Sequence, residues 1–89
     1  MEREEILKLI ESKEIIGVDL SGQRLEKIDF TGCRIERTSF KGCELVHCRF
    51  RNAKISWSDF RYAEIQHGTF EGAEIEFSDF YRAFIDGVV

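Results

Sequence analysis

Ala53-Lys54-Ile55-Ser56-Trp57-Ser58-Asp59-Phe60-Arg61-Tyr62-Ala63-Glu64-Ile65-Gln66-His67-Gly68-Thr69-Phe70 decides the fold. A large apolar residue recurs at every fifth position (Ile55, Phe60, Ile65, Phe70), and two residues before each stands a small one (Ala53, Ser58, Ala63, Gly68). Helices space apolar residues by three and four, and half-buried strands space them by two. Neither explains a strict five, so the segment is read as a repeat before any helix or strand is assigned.

Extending the register outward gives Leu20, Leu25, Phe30, Ile35, Phe40, Leu45 and Phe50 on one side and Ile75, Phe80 and Ile85 on the other. The small register continues through Ile28, Cys33, Thr38, Cys43 and Cys48 to Ala73, Ser78 and Ala83; Gln23, at the N-terminal edge, fits poorly. Two inward residues separated by an outward one make a very short extended segment, and the remaining two must turn the chain. Four such units close a square coil of about twenty residues, and coils stack at about 4.8 Å. From Val18 onward this predicts about three and a half coils, a rod of roughly 17 Å. The sequence contains no proline, as suits a stack in which the neighbouring coil uses nearly every backbone N–H.

The chain resembles the pentapeptide-repeat family, whose unit is commonly Ala, Asp or Asn, Leu and two variable residues. Ala53-Lys54-Ile55, Ala63-Glu64-Ile65, Ala73-Glu74-Ile75 and the pairs Asp29-Phe30, Asp59-Phe60 and Asp79-Phe80 carry the likeness. The resemblance implies an all-β fold, a right-handed quadrilateral β-helix; the handedness rests on the family alone. From Phe30 onward the central residues alternate between Phe and Ile or Leu, which puts Phe on two opposite faces. Two residues after Phe stand Gly32, Gly42, Asn52 and Gly72, so type II turns are expected mainly there. After Ile or Leu the same place holds Lys27, Arg37, His47, Trp57, His67 and Phe77, where another turn type is expected.

Residues 1–17 read as an N-terminal helical cap and 18–89 as the solenoid. Ile6, Leu7, Leu9 and Ile10 fall on one helical face, with acidic residues in the first turn. No such cap is legible at the other end, where Tyr81, Phe84, Ile85, Val88 and Val89 are expected either to continue into a longer array or, the preferred reading, to form an interface between two copies of the chain. Phe84 is expected to be the most exposed apolar residue there.

Charge is mixed along the chain, 13 Lys and Arg against 17 Asp and Glu, which argues against a nucleic-acid binder. No apolar run approaches the roughly 18 residues of a membrane span. Three cysteines do not form the even framework of small secreted domains. Cys33, Cys43 and Cys48 read as reduced core fillers of a cytoplasmic protein. His47 and His67 share a face in successive coils, about 5 Å apart; a stacked surface pair is preferred over a metal site. A rod without a cleft gives catalysis little to build on, so neither an enzyme nor a cofactor is expected.

Arg37, Trp57 and Phe77 share one column; stacking within it can steady the turns by itself, and the same three residues are the candidate partner surface, since aromatic and Arg residues anchor interfaces. A non-enzymatic protein-binding or scaffold module follows, its partner unspecified. The resemblance adds a second reading: some members of the family mimic duplex DNA and bind type II topoisomerases. Outward charges sum to about zero on three faces and to about minus two on the face bearing Glu44, Glu64 and Asp86, a weak field for such mimicry.

Overall fold

The five-residue period becomes a period of twenty in space. A computed structural model describes residues 1–89. Helix α1 (Arg3–Ser12) is followed by eight three-residue strands: β1 (Glu14–Ile16), β2 (Arg24–Glu26), β3 (Arg34–Glu36), β4 (Glu44–Val46), β5 (Lys54–Ser56), β6 (Glu64–Gln66), β7 (Glu74–Glu76) and β8 (Phe84–Asp86). Odd strands pair in parallel as one four-stranded sheet and even strands as another. Ile15, Ile35, Ile55 and Ile75 lie in register on the first, and Leu25, Leu45, Ile65 and Ile85 on the second.

Between the sheets run two faces of isolated parallel bridges, Asp19–Ser39–Asp59–Asp79 and Asp29–Arg49–Thr69. Beneath them lie the Phe columns. Phe30, Phe50 and Phe70 stack at 4.7 and 4.8 Å, and Phe40, Phe60 and Phe80 at 4.6 Å. Rings from the two columns meet edge to face, as Phe40 and Phe50 do at 5.9 Å. This offset and edge-on geometry suits the ring quadrupole. The fold is therefore a four-sided β-solenoid whose core is the Phe and Ile columns; Phe30, Phe40, Phe50 and Phe60 are fully buried.

Glu14–Ile16 belongs to the stack, so the solenoid starts inside the segment assigned from sequence to the cap, and the sheets are four strands deep. The place two residues before Ile15 holds Lys13, in the left-handed region at φ 62° as the C-cap of α1, which hid the first unit. Ile6 is buried against the first coil, while Leu7, read as part of the apolar face, points outward. Arg3 Nη1 donates to the carbonyl of Glu26 at 2.9 Å and ties the helix down.

The corners differ from expectation in one respect. After Leu20 and each Phe, the N–H three residues on donates back to the central carbonyl, as Cys33 does to Phe30 at 3.0 Å. Gly32 between them has φ 71°, the signature of a type II turn. Corners after the strands lack that bond, yet Lys27, Arg37, His47, Trp57, His67 and Phe77 also adopt positive φ, from 47° to 56°. Such residues resist this region by about 1–2 kcal/mol each. The conformation aims each N–H at the next coil, where Lys27 finds Val46 at 2.9 Å and His47 finds Gln66 at 2.9 Å. At one of these corners a hydroxyl ladder adds bonds: the N–H groups of Thr38 and Ser58 donate to the side chains of Ser58 and Ser78 at 3.3 and 3.2 Å.

Candidate functional site

A bulky residue held at positive φ on a solenoid corner throws its side chain into solvent. Trp57 and Phe77 do this, 62% and 69% exposed, with rings stacked at 4.6 Å and 14°. Arg37, one coil below, does not continue the ladder: its guanidinium turns aside to Glu36 at 3.8 Å. The predicted trio is thus an aromatic pair with an arginine beside its own acidic neighbour.

A second aromatic cluster was missed from sequence. Tyr62 meets Tyr81 edge to face at 5.9 Å. Arg82 lies over the Tyr81 ring, 5.3 Å from its centroid, and donates to its hydroxyl at 3.0 Å. Tyr62 stands in the corner register that holds Gly42 and Gly22 one and two coils earlier, and a tyrosine in a glycine register was the available signal. Both clusters flank one face, whose outward residues are Ser39, Asp59 and Asp79. There Asp59 pairs with Arg61 at 2.7 Å, and the hydrogen bond from that guanidinium holds the Asp59 carboxyl below its usual range.

At the C-terminal coil Tyr81, Phe84, Ile85 and Val89 are exposed and Val88 is half-buried. Val89, at 76%, exceeds Phe84, at 56%, because the Phe84 side chain stands outward beside Glu64 on the sheet. The N–H groups of Phe77, Phe80 and Arg82 have no backbone partner, whereas their counterparts Trp57, Phe60 and Tyr62 donate to the following coil.

Cys33, Cys43 and Cys48 are free and buried in the small register. Burial raises all three thiols, Cys43 to about 11, and the Cys43 thiol donates to the Leu20 carbonyl at 2.8 Å. His47 and His67 stack at 5.2 Å and 24°. No helix is long and apolar enough to cross a membrane.

The family profile described as "Pentapeptide repeat region" matches residues 14–83, and the chain belongs to the pentapeptide repeat family. Its first matched residue coincides with the start of β1. No curated protein matches the sequence. Among solved structures, a pentapeptide repeat protein of the Arabidopsis thaliana thylakoid lumen aligns at 22% identity and TM-score 0.45, over 85% of this chain and 64% of its own. HetL, a pentapeptide repeat protein involved in heterocyst differentiation regulation from the cyanobacterium Nostoc sp., aligns at 18% identity and TM-score 0.48, over 84% of this chain and 37% of its own. QnrB1, a plasmid-mediated fluoroquinolone resistance protein, aligns at 20% identity and TM-score 0.29, over 84% of this chain and 55% of its own. This chain therefore spans less than two thirds of the length of each.

Proposed function

We propose that this protein is a non-enzymatic protein-binding module that engages its partner through the face flanked by Trp57–Phe77 and Tyr62–Tyr81. The carrying observation is that four large aromatic side chains, each at least half exposed, border one polar face of a rigid rod. Fixed aromatic rings supply contact area at little conformational cost, and such residues dominate interface energetics. The Asp59–Arg61 pair would lie near the centre and set register. Three reduced, buried thiols suit a cytoplasmic setting. Capture from native lysate by the wild-type chain and by a Trp57→Ser/Phe77→Ser variant tests this. Specific partners should be lost by the variant and kept by an Arg34→Ser control on the odd-strand sheet; equal capture by all three would refute it.

The C-terminal coil supports a further element of the reading, a homodimer in which each copy covers the other's Ile85, Val88 and Val89, with Phe84 and Tyr81 at the rim. Exposed apolar side chains beside unpaired backbone N–H groups favour pairing, and a two-fold axis closes it. Light scattering should give twice the chain mass, and Ile85→Glu should give monomer. A monomer for the unmodified chain at high concentration would sink the dimer while leaving the aromatic face intact.

A further inference from the structure

We propose that a groove diagonally across the rod from Trp57 binds a phosphate-type oxyanion. The groove, of about 480 Å³, lies at the corner between the even-strand sheet and the Phe30–Phe50–Phe70 face. One wall is the column Lys27, His47, His67, and the other bears Asp29 and Arg49, with Gly68 in the floor.

Its chemistry differs from the rest of the surface. The chain carries a net charge of −4, and its arginines otherwise have partners. Arg24, Arg34, Arg37, Arg51 and Arg61 meet carboxylates. Arg3 bonds a carbonyl and Arg82 a tyrosine. Arg49 alone has no side-chain hydrogen bond or ion pair, and it lines this groove. Lys27, His47 and His67 also make none. The one acidic group in the walls, Asp29, accepts the N–H and hydroxyl of Thr31 on a single oxygen; Arg49, its neighbour in the next coil, acts on it through charge alone.

Gly68 is buried and leaves the floor without a side chain. Donors on Lys27, His47, His67 and Arg49 thus converge from two walls, the condition that favours an anion. The planar pair of a carboxylate would be satisfied by Arg49 alone, but the tetrahedral oxygens of a phosphate can engage both walls at once. From Lys27 to His67 the column covers two coil spacings, about 10 Å, room for a di- or triphosphate group.

Inorganic pyrophosphate titrated into the labelled protein and followed by NMR is the test. Saturable shifts should concentrate at the His47 and His67 rings, the Arg49 side chain and the Gly68 amide. Arg49→Gln, an exposed change, should weaken binding about tenfold, the scale of one charged hydrogen bond, while Arg37→Gln at the opposite corner should not. Shifts that never saturate, that spread equally to Arg37 and Arg51, or that persist unchanged in Arg49→Gln would overturn the proposal. So would a His47–His67 response to zinc with none to pyrophosphate.

Discussion

At the N-terminal end of the rod, Leu20, Leu25 and Ile28 are buried beneath α1; at the C-terminal end the matching Phe80, Ile85 and Val88 are half-buried or exposed. The repeat chemistry is the same. What differs is the layer on top, so in a solenoid burial belongs to the stack rather than to the residue. The deepest positions are those with a coil on both sides, and the largest mutational effect belongs there. Phe50 is stacked between Phe30 and Phe70, and Phe50→Ala should cost about 3–5 kcal/mol. Phe80, stacked on Phe60 only, should cost clearly less. Urea titrations of both variants measure the pair, and equal losses would break the comparison.

The two ends of the rod give the next test. Ile6 is the buried anchor of α1, and Ile6→Ala should cost about 2–4 kcal/mol. Ile85→Ala should cost less than about 1 kcal/mol in dilute protein. If the C-terminal coil is covered by a second copy, that cost should grow with protein concentration, which separates the covered from the open state.

Much of this was legible beforehand, because a core residue at every fifth position leaves few alternatives. The Phe and Ile columns, the free thiols and the histidine stack all follow from position modulo twenty. Three features do not. Ile15 escaped because its partner in the small register is a helix cap, Lys13. Positive φ at Lys27 or Trp57 opposes local preference and is imposed by the ladder to the next coil, a tertiary constraint. The isolation of Arg49 depends on which carboxylates come within reach, which no column count reveals.

Glycines sharpen the point. Gly32 and Gly68 look equally small in sequence, but a Cβ on Gly32 meets nothing within 4 Å at φ 71°, while one on Gly68 would run into the Cys48 carbonyl oxygen. Gly32→Ala should therefore cost about 1 kcal/mol, from conformation alone. Gly68→Ala should cost more, about 1–3 kcal/mol, through overpacking. Chemical denaturation ranks them, and the reverse order would mean that the floor of the groove yields.

The smallest expected effect is electrostatic and compares a coil near the cap with one in the middle of the stack. Asp29 accepts from Thr31 and Asp59 from Arg61, and these side-chain hydrogen bonds hold both carboxyls below their usual range. A group whose pKa is lower folded than unfolded adds stability above the unfolded value, near 3.9, and that contribution is lost as pH falls through the folded value. The urea midpoint should therefore drop on acidification from about pH 5 toward pH 3, and Asp59→Asn should flatten part of that slope. Because Asp29 and Asp59 sit in different coils without shared partners, Asp29→Asn should flatten it further and additively. An unchanged slope in the double variant would assign the acid sensitivity to other carboxylates and leave these pairs with a purely geometric role in their turns.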